Sequence, residues 1–243
     1  MPDDPRPAVQ LFVLDLDAPD AGGPGDLALL DAHESARAGR LRFEKHRLRF
    51  IASHAGLRRS LAAVTGQAPD EVRIIAAEHE KPHLADDAGW HFNLSHSGPL
   101  ALVAASRAGP LGVDVEQLRE LADRDTVARQ VFCTEELEAL AALAPDQKTR
   151  GFFRAWTCKE AVIKTTGEGF RADLKAFGVT LHPDHAVSFV RAPAPVSGAS
   201  WGLAMVDVGP GAMAAVSMLV PGDDPSFDLV MASAHAVCSG PQG

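Results

Sequence analysis

The chain has 243 residues, of which 46% are hydrophobic, so it can bury a sizeable core. Its formal net charge of −9 disfavours nonspecific nucleic-acid binding, although a local basic cluster could still hold an anionic ligand. Three cysteines without a C-x-x-C pair disfavour a disulfide framework or a zinc site. The acidic, proline-rich start does not resemble a signal peptide, and no apolar run could span a bilayer, so we expect a soluble, cytoplasmic protein.

The first half of the chain combines one helical region with several short strands. Alternating apolar side chains bounded by turn residues predict strands at 8–17, 71–80, 90–96, 100–106 and 111–116. The last three follow one another closely, which is typical of an antiparallel meander. Arginine-rich helix formers fill residues 27–65, after a loop at 19–26 that contains glycine and proline.

The second half begins with helical patterns at 123–144 and 146–166, where Thr134 resembles a helix N-cap. Strands are then predicted at 177–182, 186–192, 201–208 and 211–219, with a hairpin turn at Gly-Pro-Gly 209–211. This order predicts an α+β fold of two similar halves, 1–108 and 109–243. The polar tail from about Pro221 is expected to be poorly ordered.

Asp114 and Glu116 lie two residues apart in the apolar run LGVDVE (111–116). Side chains two apart in a strand project from the same face, so these carboxylates repel each other unless their charge is compensated. Water could solvate them on an exposed strand, or a cation could bind them. Mg²⁺ takes oxygen ligands and typically uses one or two carboxylates together with substrate phosphates and water. The pair alone leaves both interpretations open.

The segment FFRAWTCKEAVIKTTGEGF (152–170) has the apolar periodicity of a helix that ends at the glycines of 167–169. Glu160 and Lys164 are four residues apart and are therefore neighbours on the helix surface. They form either an ordinary surface salt bridge, or a third metal carboxylate beside a cation that contacts a phosphate.

A polar group, Ser95, His96 and Ser97, stands where a predicted strand gives way to a turn. Hydroxyls, an imidazole and backbone N–H groups at such a position form either a polar turn or an anion site. Lys81, in EHEKPHL (78–84), is by itself only a loop lysine.

Four motifs, taken in order, resemble those of the Sfp-type 4′-phosphopantetheinyl transferases. They are Lys-Pro at 81–82, FNLSHS at 92–97, GVDVE at 112–116 and WTCKEAVIK at 156–164. Each motif is weak alone, but their order and spacing are specific. The resemblance covers roughly residues 35–182.

The resemblance implies a pseudo-dimer of two similar α+β halves in one chain, with the active site in the cleft between them. It implies an enzyme that transfers the 4′-phosphopantetheine arm of coenzyme A to a serine of an apo carrier protein. Such an enzyme depends on Mg²⁺ and releases adenosine 3′,5′-bisphosphate. The expected partners are coenzyme A and an acyl or peptidyl carrier protein, with no nucleic acid or membrane, and the expected state is a monomer.

On the metal side, the resemblance assigns Asp114, Glu116 and Glu160 to Mg²⁺. Lys164 is expected to contact the pyrophosphate. Glu135 matches the position of a glutamate near the metal that is a candidate for deprotonating the carrier serine. The catalytic residues implied by the resemblance are therefore Glu160, Lys164 and Glu135.

On the nucleotide side, the resemblance assigns Ser95 and His96 to the phosphates of coenzyme A. Lys81 is expected to border the adenine nucleotide and Lys164 to bind the cofactor as well. Glu80 stands where the family often has glycine, which places a negative charge beside an anionic cofactor. Arg49 is the best-matched candidate for the ribose phosphate, and the alternatives are Arg37, Arg40 and Arg42.

Two other functions fit the same residues. One is a non-catalytic module of this fold that binds coenzyme A or a carrier protein, which the retention of all three carboxylates and Lys164 disfavours. The other is a different Mg²⁺-dependent phosphoryl-transfer enzyme, which the absence of a G-x-x-x-x-G-K-[ST] motif disfavours. Outside the site, His182 and His185 are expected in a hairpin turn, and Cys158 is expected to pack in the core.

Overall fold

The computed structural model describes residues 6–76, 81–86, 89–167, 169 and 172–232, and it mixes helices with antiparallel sheets. The α+β class predicted from the sequence is confirmed. The described chain divides into two units, which consist of 9–107 with 229–232 and of 6–8 with 108–228. We call them the first and the second unit.

The first unit is built on a four-stranded sheet with the strand order β11-β1-β5-β4. Its elements are β1 (Ala8–Asp15), α1 (Pro24–Leu27), α2 (Ala32–Gly39), α3 (Glu44–Thr65), β2 (Ile74–Ile75), β3 (His83–Leu84), β4 (His91–Ser97), β5 (Leu100–Ser106) and β11 (Asp228–Ala232). Phe12, Leu61 and Phe92 form part of its core and are at most 3% exposed. The long helix α3 ends at Gly66, whose φ of 78° favours glycine.

The second unit is built on a three-stranded sheet with the order β6-β10-β9, against which α6 packs. Its elements are β6 (Leu111–Gln117), α4 (Arg124–Val131), α5 (Thr134–Ala142), α6 (Lys148–Thr166), a 3-10 helix (Leu174–Ala176), β7 (Gly178–Val179), β8 (Phe189–Arg191), β9 (Ala199–Val206) and β10 (Ala212–Pro221). Helix α6 buries Phe152 and Phe153 in the core. Burying a side chain of this size contributes about 1.5–3 kcal/mol, which explains why the apolar face of the helix seats on the sheet.

Strands β6 and β10 are antiparallel, and their register places Asp114 opposite Ala215 and Glu116 opposite Met213. The hairpin predicted at 209–211 is confirmed, because β9 and β10 pair antiparallel on either side of Gly209. Gly209 has a φ of 89°, a conformation that a residue with a side chain rarely adopts.

Several predicted elements differ from the observed ones at their ends. The expected strand at 71–80 is limited to β2, because its partner β3 is also only two residues long, and 77–80 lie outside the described residues. The helical region 123–144 contains two helices, separated by extended residues Phe132 and Cys133. Cys133, rather than Thr134, is the N-cap residue of α5.

Strand pairing also differs from the expected meander of three strands. β4 and β5 form the predicted hairpin, whereas β6 belongs to the sheet of the second unit. The tail from Pro221, which was expected to be poorly ordered, contains β11 at Asp228–Ala232, and 233–243 lie outside the described residues. A pattern of alternating apolar residues predicts a strand but not the strand with which it pairs. For this reason the sequence placed β6 beside β5, whereas β6 pairs with β10.

In the described part of the chain, none of the helices combines the length and hydropathy that a membrane-spanning segment requires.

Candidate active site

Helix α6 approaches strand β6 at Gly112, the glycine of the motif GVDVE. A Cβ atom at this position would lie 2.1 Å from the carbonyl oxygen of Ala161 and 2.6 Å from the backbone nitrogen of Thr165. No side chain fits in that space, so the backbone of α6 can rest directly on the strand only if residue 112 is glycine. This contact sets the distance between the acidic strand and the charged residues of the helix.

The close approach brings Lys164 of α6 to Asp114 of β6. The ammonium nitrogen Nζ lies 2.6 Å from Oδ1 of the aspartate, whose side chain is 6% exposed. The Lys164 side chain is 28% exposed, so one end of this ion pair remains accessible to solvent. The structure therefore joins two predicted site residues that lie 50 positions apart in the sequence.

Glu160 stands one helical turn before Lys164 and is partly buried. Burial raises the pKa of its carboxyl group, and the nearby charge of Asp114 raises it further. Lys164 lowers the pKa of Glu160, whereas Glu116 raises it. These influences on Glu160 place it in one electrostatic cluster with Asp114, Glu116 and Lys164 within the second unit.

Glu116 is the more exposed carboxylate of the strand pair. Its Oε2 lies 3.8 Å from Nη1 of Arg119, and the Arg119 side chain is more than half exposed. The described residues contain no group of three or more His, Cys, Asp or Glu side chains that is arranged to hold a metal ion. The three carboxylates are therefore close enough to influence one another without forming a complete coordination cage.

Glu135 lies in the first turn of α5 and forms an ion pair with Arg191 of β8. Its own backbone N–H lowers the pKa of the carboxyl group to about 2, with further contributions from Arg191 and the thiol of Cys133. Such a carboxylate stays ionised and is a weak base near neutral pH.

Glu136, the neighbour of Glu135, was not predicted from the sequence as a residue of interest. Its side chain is fully buried and pairs with Nζ of Lys159 at 2.8 Å, within the motif WTCKE. The sequence did contain a signal, because the neighbours of Glu136 and of Lys159 three and four residues away along their helices are apolar. A charged residue on an apolar helix face must be buried with a partner, but the partner can be identified only when it is known which helices pack together.

In the first unit, Ser95 and His96 lie inside β4, because the strand continues to Ser97 and the turn begins at Gly98. Adjacent strand residues project to opposite faces. Ser95 is 6% exposed, whereas His96 is exposed. An anion that contacts both residues would therefore meet one of them through its side chain and the other through its backbone.

Lys81 follows directly on residues 77–80, so Glu80 lies outside the described residues. The Lys81 side chain is partly buried, and this burial lowers the pKa of its ammonium group to about 8.

Arg49 of α3 is engaged in a bidentate ion pair with Asp17. Its Nε and Nη2 atoms donate to the two carboxylate oxygens at 2.7 and 2.6 Å, and Nζ of Lys45 lies 3.6 Å from the same carboxylate. Arg49 lowers the pKa of Asp17, and Asp17 raises that of Arg49. Among the alternative arginines, Arg37 lies over the ring of Phe50.

His182 and His185 lie in a turn, and Cys158 lies in the core, as the sequence predicted. His182 and His185 stack at 4.1 Å between ring centroids, and the His185 N–H donates to the His182 carbonyl in a turn. Cys158 is fully buried, with its sulfur 3.5 Å from that of Met205.

Comparisons with known proteins agree with the motifs. A family model described as "4′-phosphopantetheinyl transferase superfamily" matches residues 110–203, and one described as "4′-phosphopantetheinyl transferase, N-terminal" matches residues 25–108. The chain is 36% identical over 222 residues to the 4′-phosphopantetheinyl transferase HetI of Nostoc sp., which covers 90% of this chain and 91% of that protein.

Other relatives are matched over shorter segments. The 4′-phosphopantetheinyl transferase Sfp of Bacillus subtilis is 34% identical over 118 residues, which are 49% of this chain and 51% of that protein. A solved structure described as the "Chronobacterium ammoniagenes ACPS-CoA complex" is 17% identical, with a TM-score of 0.38 over 48% of this chain and 99% of that chain. The 36% identity to HetI over 91% of that protein shows that the chain belongs to the 4′-phosphopantetheinyl transferase superfamily, a family of transferases, which confirms the resemblance drawn from its motifs.

Proposed function

We propose that this protein transfers the 4′-phosphopantetheine arm of coenzyme A to a serine hydroxyl of an apo carrier protein and releases adenosine 3′,5′-bisphosphate. The observation that carries this proposal is the cluster of three carboxylates around Lys164 in a member of a phosphopantetheinyl transferase family. An ordinary helix-surface salt bridge does not explain why Lys164 reaches across to an aspartate of the sheet.

The donor chemistry of Asp114, Glu116 and Glu160 fits Mg²⁺, because all three side chains offer carboxylate oxygens. Mg²⁺ is usually bound by one or two carboxylates together with substrate phosphates and water, so a complete protein cage is not required. The burial that raises the pKa of Glu160 also favours a bound cation, since a positive ion offsets the cost of keeping this carboxylate charged. When bound, the metal supplies positive charge that stabilises the reacting pyrophosphate.

The protein's own groups then have separate tasks. The Lys164 ammonium binds and neutralises the pyrophosphate, where negative charge increases as the serine oxygen attacks the phosphorus. Glu160 supplies a third carboxylate beside those of Asp114 and Glu116, and these three would hold the metal. Most of the acceleration is expected from holding the hydroxyl and the pyrophosphate in line.

The role of Glu135 as the base that deprotonates the carrier serine stays a prediction. Its ion pair with Arg191 and its pKa of about 2 weigh against this role, since an effective base has a pKa near the working pH.

The nucleotide side of the proposal uses residues of the first unit. Ser95 and His96 bind the phosphates of coenzyme A, and Lys81 borders the adenine nucleotide. The partly buried Lys81 suits an anion, because a bound negative charge favours the protonated form that burial disfavours. Arg49 contacts the ribose phosphate after it leaves Asp17.

The proposed partners are coenzyme A and an apo acyl or peptidyl carrier protein, and the proposed state is a monomer. The carriers of fatty-acid, polyketide and peptide synthesis all present the serine that this chemistry requires. A screen of such carriers is needed to identify the substrate.

The test is to incubate the protein with coenzyme A, Mg²⁺ and a panel of apo carriers, and to measure the mass of each carrier. We expect one or more carriers to gain the mass of a phosphopantetheine group, and the Asp114→Ala variant to give no gain. A module that only binds would leave every carrier mass unchanged. A hydrolase would release adenosine bisphosphate from coenzyme A without any carrier.

A further inference from the structure

Two buried charged side chains of the second unit, Glu136 and Lys159, form an ion pair away from the carboxylate cluster. Their side chains are 0% and 1% exposed, and the pair measures 2.8 Å between Oε2 and Nζ. Burying two charges costs desolvation energy, and apolar side chains of similar size often stabilise a protein as well or better. A contribution to stability is therefore not enough to explain why the protein buries Glu136 and Lys159 as a charged pair.

Every hydrogen-bonding group of the Glu136–Lys159 pair has a partner. Besides the glutamate, the Lys159 ammonium donates to the carbonyls of Leu174 and Phe177 at 2.7 and 2.6 Å. Glu136 accepts from the backbone N–H groups of Cys133 and Val179, each at 2.9 Å. The pair thus connects the start of α5, the middle of α6 and the segment 174–179.

The location of Lys159 links this network to the site. Lys159 directly precedes Glu160, and consecutive helical residues project about 100° apart around the axis. The backbone of α6 rests on Gly112 of β6, and Lys159 holds the helix to segments that do not belong to the sheet. A helix held at two points around its circumference cannot rotate about its axis.

We propose that Glu136 and Lys159 are positioning residues that fix the rotation of α6, and so direct Glu160 and Lys164 toward Asp114. This inference rests on the proposed function, in which Glu160 and Asp114 hold Mg²⁺. Neither residue of the pair touches the substrate. They act by fixing the position of the Glu160 carboxylate relative to that of Asp114.

A matched control lies on the same helix. Arg154 is also buried and donates to the backbone carbonyls of Thr180, Pro183 and His185. Arg154 lies six residues before Glu160, which is more than one helical turn. Its hydrogen bonds go to residues 180–185 and not to the segment 174–179 that Lys159 contacts. Arg154→Met therefore removes a buried, satisfied cation from α6 without releasing the Lys159 anchor.

The experiment compares Lys159→Met, Glu136→Gln and the double variant with Arg154→Met. Glu136→Gln keeps the shape of the side chain, and the double variant leaves no buried unpaired charge, so folding does not depend on one substitution. Two quantities are measured at a temperature where circular dichroism shows each variant folded. They are the Mg²⁺ concentration for half-maximal transfer and, by calorimetry, the affinity for Mn²⁺ in the presence of coenzyme A.

We expect Lys159→Met and the double variant to raise the half-maximal Mg²⁺ concentration and the Mn²⁺ dissociation constant by about tenfold, or about 1.4 kcal/mol. Glu136→Gln is expected to shift both in the same direction. Arg154→Met is expected to lower the melting temperature while leaving both quantities within about twofold of the parent.

Metal affinities close to the parent in the Lys159 and Glu136 variants, or shifts equal to those of Arg154→Met, would overturn the inference. So would a failure of all three pair variants to fold, because it would show that the pair serves stability alone. Glu160→Gln separates this result from the proposed function. If that variant also leaves metal affinity unchanged, the metal assignment itself is wrong.

Discussion

Lys164 and Glu160 are neighbours on α6, but their side chains lie in different environments. Lys164 pairs with Asp114 at 2.6 Å and keeps a partly exposed ammonium, whereas Glu160 is a carboxylate whose pKa is raised by burial. If the two side chains only formed a surface salt bridge with each other, the pair would contribute roughly 0.3–0.5 kcal/mol to stability and nothing to the rate. The proposed function separates the effects of the two side chains.

We expect Lys164→Met to lower the transfer rate by about a hundredfold, because it removes a cation aimed at charge that develops in the transition state. Glu160→Gln should instead raise the Mg²⁺ requirement, because an amide carries no charge. A Mg²⁺ titration of the transfer rate checks both variants, with Arg129→Ala on α4 as the control for loss of an exposed cation. Two curves that coincide with that of the parent would contradict the site assignment.

Asp17 competes with any phosphate for Arg49, since both of its carboxylate oxygens are bonded to the guanidinium. We expect Asp17→Asn to tighten coenzyme A binding by about threefold to tenfold, since the net value of one competing hydrogen bond is about 0.5–1.5 kcal/mol. Calorimetry with coenzyme A and with dephospho-coenzyme A, which lacks the ribose phosphate, tests this.

The gain in affinity should be absent with dephospho-coenzyme A, which serves as the matched ligand control. An Asp17→Asn variant that binds both ligands less tightly would show instead that Asp17 holds Arg49 ready for the phosphate.

Glu135 has a low pKa in the folded protein, so its carboxylate is ionised throughout the neutral range and is protonated only as the pH falls toward about 2. A general base normally contributes about 10²–10⁴ to the rate. We expect Glu135→Gln to cost much less than that, and to leave the shape of the pH–rate profile between pH 6 and 9 unchanged. A loss within that range at unchanged coenzyme A affinity would establish Glu135 as the base.

At the scale of elements, the contact between α6 and β6 matters more than either element alone. In the sequence, Gly112 is the first residue of the motif GVDVE in a predicted apolar strand, and no local pattern shows what packs against it. Its function emerges from the structure, where a Cβ would meet the backbone of α6 at 2.1 Å.

We expect Gly112→Ala to separate α6 from β6 and to disrupt the Lys164–Asp114 pair, with a transfer rate at least about tenfold below that of the parent. Its melting temperature should also fall, because an added methyl group in a packed core costs about 1–3 kcal/mol. Gly211→Ala is the control, since a Cβ at Gly211 meets no atom within 4 Å. If Gly112→Ala retains parental activity and stability, the close contact is not required.

The elements most accurately predicted from sequence are those with a local signal. Helix α6 carries a long apolar face and ends at Gly167, and the β9–β10 hairpin is marked by Gly209. The pairing of β6 with β10 depends on residues about a hundred positions apart, which no local pattern encodes. Similarly, the sequence offered Asp114 and Glu160 as candidate site residues from their local motifs, whereas the Glu136–Lys159 pair required knowledge of which helices touch.

At the scale of the whole molecule, the chain combines a formal net charge of −9 with a site that handles anions. Screening limits the reach of exposed charges to about 8 Å at physiological salt, so the side chains nearest the ligand outweigh the distant total. Under the proposed function, the basic side chains of Arg49, Lys81 and Lys164 can therefore attract coenzyme A although the protein as a whole is acidic.

The same charge bears on self-association. The described part of the chain exposes large apolar side chains on several elements, among them Val13 on β1 and Val230 and Met231 on β11. Exposed apolar side chains scattered in this way are normal on a monomeric protein. Mutual repulsion between copies that each carry −9 further opposes association.

We therefore expect a molar mass of 25.7 kDa in light scattering, independent of protein concentration and of salt. Raising the salt concentration is the informative step, since it screens the repulsion and would allow an apolar contact to form. Met231→Lys provides the control, because Met231 is 59% exposed on β11 and lysine places a charge there. A mass that rises toward twice 25.7 kDa in high salt for the parent, but not for Met231→Lys, would show that the surface of β11 at Met231 is a dimer interface and that the protein is not a monomer.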